Sequence, residues 1–167
     1  MAEMDSLKQV LAAADAAASA YERLVLLVGP AGSGKSTLLR EAAGERDWPV
    51  VNLSLELSQR LLEVAPGQRA TKVLGAIEGI VADASGNPGD ASTLCLDNIE
   101  LLFERALQLD PLKLLLSLSK QRTLIVAWPG ELADEPGEQE LTHAAPSHPE
   151  YRAYPVQGLT LLSIRRE

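Results

Sequence analysis

Lys35 and Ser36 sit near the end of the run Gly29-Pro30-Ala31-Gly32-Ser33-Gly34-Lys35-Ser36-Thr37. The run fits G-x-x-x-x-G-K-S/T, a loop that wraps backbone N–H groups around a phosphate. Gly29, Gly32 and Gly34 supply backbone angles that residues bearing a Cβ resist. The loop can then turn its amides inward, with a helix N-terminus behind them. In that arrangement Lys35 reaches the β- and γ-phosphates of a nucleoside triphosphate, and the Ser36 hydroxyl coordinates Mg²⁺. All of residues 29–37 are therefore candidate nucleotide ligands. The competing reading is a Gly-rich turn without a ligand, and the flanking elements argue against it.

Asp97 closes the apolar run Thr93-Leu94-Cys95-Leu96. A carboxylate at a strand tip beside such a loop matches a Walker B acid, which holds Mg²⁺ directly or through its water shell. Hydrolysis also needs a group that orients the attacking water. Many P-loop ATPases place Glu directly after the Walker B Asp, whereas this chain has Asn98. Asn can hydrogen-bond a water but cannot accept its proton. Glu100, three residues after Asp97, and Glu56, just beyond the second expected strand, are the two candidate substitutes. Either also reads as an acid favoured by a helix N-terminus. The candidate catalytic set is Lys35, Asp97, Glu100 and Glu56, the metal set is Ser36 and Asp97, and slow hydrolysis is one expected outcome.

The elements that must position these groups follow from hydrophobic spacing. Residues 23–28 form an apolar run of strand length ahead of the loop, and Ser36 opens a helix for which Gly44 is a natural stop. Upstream, Ser6 and Gln9 fit a capping box. Leu7, Val10, Leu11, Ala14, Ala18 and Tyr21 then recur at helical spacing, giving an N-terminal helix within residues 1–22. That helix packs beside the first strand or forms an oligomer contact. Downstream come a strand over 48–53, a helix capped by Ser54, and a helix after Pro66-Gly67 with Val73, Leu74, Ile77, Ile80 and Val81 on one stripe. Residues 84–90 are rich in turn formers, 93–97 form a strand, 98–108 a helix, and Asp110-Pro111 starts another. A strand over 122–127 is stopped by Trp128-Pro129-Gly130, and residues 133–158 are irregular, acidic and Pro-rich apart from a candidate strand at 141–144. A last strand spans 159–164.

Strands alternating with helices argue for one α/β domain over residues 1–167. The expected architecture is a three-layer P-loop NTPase fold with a mainly parallel central sheet. It is an AAA/ASCE-like core without a C-terminal helical lid, so a lid or arginine finger must come from another subunit. Self-association, as a ring or stacked oligomer, is expected for that reason. Arg105 and Arg122 are candidate fingers. The polar sensor of an AAA-like fourth strand is missing, because Thr123 lies too early and the tip is Trp128-Pro129. Trp128 either packs in the core or contacts the base or a partner. Tyr151, Tyr154 and Arg152 are candidates for a partner or nucleic-acid contact, against the alternative of packing near the C-terminus.

Composition narrows the classes. A formal net charge of −8 disfavours nonspecific contact with nucleic acid or anionic membrane over the whole surface, so a DNA contact is not indicated. No stretch reaches 18 uncharged apolar residues, and the first residues, with Glu3, Asp5 and Lys8, lack a signal-peptide core. The single cysteine, Cys95, permits no internal disulfide and fits a reducing cytoplasm. His143 and His148 have no metal-ligand spacing with Cys95 or each other.

Five stretches together resemble the BrxF family, small P-loop proteins of type 3 BREX phage-defence systems: GPAGSGKST, NLSLELSQRLLE, LCLDNIELLF, IVAWPG and HPEYRAY. The resemblance implies a role in a bacterial complex that restricts phage DNA. Its companions there are a large P-loop ATPase, an adenine methyltransferase, a phosphatase-like protein and a helicase. It carries Gly34, Lys35 and Ser36 over as nucleotide ligands and Asp97 as the metal acid, and it gives no activity to the HPEYRAY stretch. The leading expectation is an ATP- and Mg²⁺-dependent ATPase or switch. A noncatalytic ATP-binding module is the alternative that Asn98 favours. A small-molecule kinase lacks an Arg-bearing lid here, and a GTPase lacks an N-K-x-D motif.

Overall fold

The computed structural model describes residues 2–85, 92–135 and 138–164. Its centre is a five-stranded sheet in the order β2-β3-β4-β1-β8, with every neighbouring pair parallel. The strands are β1 (Leu24–Gly29), β2 (Val50–Asn52), β3 (Thr93–Asp97), β4 (Thr123–Pro129) and β8 (Thr160–Ser163). The helices are α1 (Ala2–Ala17), α2 (Lys35–Arg46), α3 (Leu53–Leu61), α4 (Arg69–Ser85) and α5 (Pro111–Leu118). A second, antiparallel sheet joins β5 (Glu131–Glu135), β6 (Glu138–His143) and β7 (Arg152–Pro155) in the order β5-β6-β7.

The three layers follow from side-chain alternation in β1, whose six residues are all buried. Val25 and Leu27 face a core built with α1 and α2, through Val10, Ala14, Leu38, Leu39 and Ala42. Leu24, Leu26 and Val28 face the opposite core, which α3, α4 and α5 fill with Leu57, Ile77, Ile80 and Leu115. A strand buried on both faces reads as continuous apolar sequence, as this one does.

Several expected boundaries shift. α1 starts at Ala2, ahead of Ser6, so Ser6 is not its cap, and it ends at Ala17, leaving Ala18 and Tyr21 outside. α2 runs through Gly44 and stops when Asp47 turns left-handed at φ 58°, with its amide on the Ala43 carbonyl. Asn52, not Ser54, caps α3 by accepting from the Leu55 amide at 3.1 Å. Residues 98–108 form two 3-10 turns, Glu100–Phe103 and Arg105–Leu107, in place of one helix. Asn98 at φ +52° and extended Glu104 break the helical path. Asp110 and Pro111 open α5 as the sequence reads, with Asp110 accepting from the Lys113 amide. The turn-rich stretch ends α4 at Ser85, and residues 86–90 lie outside the described residues.

The largest departure concerns residues 133–158. The acidic stretch contributes to β5 and β6, while Pro136 and Gly137 lie outside the described residues. β7 has no counterpart among the sequence expectations. β4 runs two residues past its expected end and stops only at Gly130, because Val28 and Gly29 of β1 pair with Trp128 and Pro129 and carry the strand onward. The chain then folds back through Gly130, whose amide donates to the Gly29 carbonyl at 3.2 Å. A Cβ at Gly130 would run into the Thr142 carbonyl of β6. The antiparallel sheet thus seats directly on the end of the strand beside the P-loop. An aromatic stack pins it there: Phe103 meets Trp128 edge-on at 5.2 Å and His143 face-on at 3.6 Å, and Trp128 meets Tyr154 at 6.0 Å.

Candidate nucleotide-binding site

The loop between β1 and α2 has the conformation its glycines permit. Gly32 and Gly34 are left-handed, at φ +80° and +95°, where a side chain is strained. A Cβ at Gly29 would press on Ser33 and on the Ile164 carbonyl of the neighbouring strand end. The Pro30 carbonyl accepts from the Ser33 amide at 3.1 Å and from Lys35 Nζ at 3.3 Å. Lys35 is only 8 % exposed, so its ammonium is held inside the loop. No side chain caps α2, which leaves the first helical amides available to an anion.

Ser36 and Asp97 come together across 61 residues of sequence: the Ser36 hydroxyl donates to Asp97 Oδ1 at 2.8 Å. The same oxygen accepts from the Asn98 amide at 2.9 Å. Among the described residues, Asp97 Oδ2 is buried with no hydrogen-bond partner, and Arg40 Nη2 faces it at 3.6 Å. A buried carboxylate oxygen without a donor is costly in isolation. Together with the Ser36 hydroxyl in the first turn of α2, the Asp97 carboxylate makes the kind of hard oxygen set that a magnesium ion prefers. The residues present fit Mg²⁺, and Ser36 and Asp97 are the ones that would hold it.

Beside the loop lies a cavity of about 430 Å³. Gly29–Ser33 form one wall, and Gly130–Leu132 with Ser163 and Ile164 form the other. The antiparallel sheet and the end of β8 therefore complete a recess that the loop alone would leave open.

Glu56 and Glu100 reach the same rim as Asp97. β2 pairs with β3 so that Asn52 lies opposite Asp97, and the chains leaving both strands are clipped together. The Ser54 amide donates to the Asn98 carbonyl at 2.8 Å, and Ser54 Oγ accepts from the Leu101 amide at 3.0 Å. Glu56 is half-buried in the first turn of α3, and Glu100 is exposed at the start of its 3-10 turn. Neither side chain has a hydrogen bond or ion pair to another described residue.

Other candidates acquire structural roles. Arg122 is buried at the start of β4, the end away from the P-loop, where it donates to Ser85 Oγ at 2.6 Å and to the Val81 carbonyl. It is not available as a finger for a neighbour. Burial pulls its guanidinium below the usual arginine range. Arg105 is exposed. Trp128 is fully buried and donates from Nε1 to the Thr142 carbonyl at 3.1 Å, so it cannot stack on a base. Tyr154 donates to Asp110 Oδ1 at 3.0 Å, and burial with that carboxylate pushes its phenol up to about 12. His143 Nδ1 meets the Pro129 carbonyl. Burial raises the Cys95 thiol to about 12, which removes it from thiolate chemistry. The described residues contain no cluster of three or more metal-ligating side chains and no helix long and apolar enough to cross a membrane. Sequence reasoning overlooked Arg40, although its place one helical turn after Ser36 is visible in the spacing.

A parallel sheet with a P-loop after β1 and a carboxylate at the tip of β3, the two strands flanking β4, defines a P-loop nucleotide-binding domain. The family described as "ATPase family associated with various cellular activities (AAA)" matches residues 25–124, and the chain belongs to it. That span runs from β1 into β4 and includes the P-loop, Asp97 and both candidate carboxylates. Proteins of this family generally bind ATP with Mg²⁺. Among solved structures, a DNA replication initiation factor is 18% identical with a TM-score of 0.48, covering 95% of this chain and 44% of that one. PCH-2 of C. elegans is 14% identical with a TM-score of 0.46, covering 76% of this chain and 37% of that one. The chain thus spans less than half the length of either. No curated protein matches it.

Proposed function

We propose that this protein is an ATP-hydrolysing switch of the AAA class, cytoplasmic and self-associating, in a BREX-type phage-defence complex. One observation carries the nucleotide reading: the Ser36 hydroxyl meets the buried Asp97 carboxylate directly behind a left-handed glycine loop. Lys35 and the free amides of α2 bind the β- and γ-phosphates, and Ser36 and Asp97 hold Mg²⁺. The ion supplies charge neutralisation at the transferring phosphoryl group. Glu56 or Glu100 orients the attacking water. The recess beside Pro30 and Leu132 receives the base and ribose.

Self-association would let a neighbour supply charge to the transferring phosphoryl group. Arg122 is committed to Ser85 and Val81 and cannot be that donor, which leaves exposed Arg105 as the candidate. Sedimentation with ATP and Mg²⁺ is expected to show an oligomer; a monomer with and without ATP overturns this part. The BREX assignment rests on the stretches LCLDNIELLF and HPEYRAY. Its companions are the large P-loop ATPase, the methyltransferase, the phosphatase-like protein and the helicase, and co-purification with one of them tests it.

Turnover by wild type, Glu56→Gln and Glu100→Gln tests the chemistry. One carboxamide is expected to lower kcat by roughly 10²–10⁴-fold, as loss of a general base does, while ATP binding persists. A noncatalytic module is the second reading, and Asn98 in place of the usual Glu favours it. Binding by all three proteins with no wild-type turnover would establish that reading.

A further inference from the structure

We infer that Arg40 is a displaceable counter-ion for Asp97, a positioning residue that occupies the metal's side of the carboxylate and sets its affinity for a divalent cation. The inference rests on the ATP–Mg²⁺ reading above. Asp97 is 3 % exposed, and a carboxylate so placed needs its charge compensated. Its two oxygens are treated differently. Oδ1 takes both hydrogen bonds, from Ser36 and from the Asn98 amide. Oδ2 takes none and faces Arg40 Nη2 at 3.6 Å. Arg40 therefore supplies charge to Oδ2 without a bond that a cation would have to break.

The other Arg–Asp pairs among the described residues differ. Arg46 holds Asp15 through two bonds of 3.0 and 3.1 Å, and Arg60 holds Asp83 at 2.8 Å. Those acids are exposed, yet their pairs are tight. At Asp97 the acid is buried and the pair is loose. Lys35, the other cation of the site, is turned to the Pro30 carbonyl. Arg40 leaves easily, because its side chain is 65% exposed and its guanidinium already borders water. Arg40 also lies one turn beyond Ser36 on the same face of α2, so one helix presents a group to each oxygen of Asp97.

The consequence is an exchange of cations. With no divalent ion the carboxylate is never bare; when one arrives it competes with Arg40 for Oδ2. Neutralising Arg40 should therefore tighten metal binding while making the metal-free protein less stable. The test uses Mn²⁺ followed by electron paramagnetic resonance, titrated into protein saturated with a nonhydrolysable ATP analogue at low ionic strength. Arg40→Gln is expected to bind Mn²⁺ about 2- to 5-fold more tightly than wild type, the range of a partly screened charge contact. Its metal-free melting temperature should fall, and Arg40→Lys, which keeps the charge, should bind as wild type does. Wild type that binds analogue and Mn²⁺, with Arg40→Gln no tighter, overturns the role given to Arg40 alone. Wild type that binds neither overturns the ATP reading and this inference with it.

Discussion

Replacing Lys35 with alanine is expected to weaken ATP binding by about a hundredfold or more, with little change in the unliganded fold. The ammonium is enclosed by its own loop and has a single partner among the described residues, the Pro30 carbonyl. It is thus poised to exchange that neutral acceptor for a charged one. Truncating one member of a buried, hydrogen-bonded charge pair costs about 2–5 kcal/mol of binding, and 1.4 kcal/mol is tenfold in affinity. Isothermal titration calorimetry measures the loss directly. Thermal unfolding supplies an independent reading: ATP at a hundred times its Kd should stabilise wild type by about 2.7 kcal/mol, and the same concentration should leave Lys35→Ala almost unshifted. A variant that still binds with wild-type affinity would remove the loop from the site.

The largest loss of stability is expected from Trp128→Ala. The side chain is fully buried at the end of β4, edge-on to Phe103, with its indole N–H on the Thr142 carbonyl. Removing it opens a cavity where the two sheets meet and takes the indole donor away from the half-buried Thr142 carbonyl. Large-to-small substitution of a buried Trp costs about 3–5 kcal/mol. For a domain of this size that is a fall of roughly 6–20 °C in Tm. Trp128→Phe keeps most of the packing and loses only the hydrogen bond, so its cost should be smaller, about 1–3 kcal/mol. The two variants measured by thermal unfolding separate the terms. Equal Tm values for wild type and Trp128→Ala would mean that this residue does not hold the antiparallel sheet in place.

These two residues mark how differently the parts of the molecule could be read. Lys35 belongs to a local pattern. The glycines needed for left-handed turns, the ammonium and the hydroxyl lie within nine consecutive residues, 29–37. Strands β1, β3 and β4 of the parallel sheet were similarly legible, because burial on both faces demands unbroken apolar runs. Helix ends were less so. Gly44 is a good stop by type, yet the helix continues to Arg46, since where a helix ends depends on which residue finds a left-handed turn and a partner for its amide. The 133–158 region misled because acidic residues and prolines resemble a solvated loop. Its strands are stabilised from outside, by the aromatic stack of Phe103, Trp128, His143 and Tyr154.

The amino-acid sequence by itself determined the class of fold and the phosphate-binding loop, because both depend on residue type at short spacing. Only the tertiary structure decided that Ser36 meets one oxygen of Asp97 while Arg40 faces the other. It alone likewise seated a second sheet against the loop to form the recess, turned Trp128 inward and removed Arg122 from consideration as a finger. These outcomes depend on parallel pairing and packing between segments tens of residues apart. Such contacts are set by the shape of the whole core, which no local window of sequence contains.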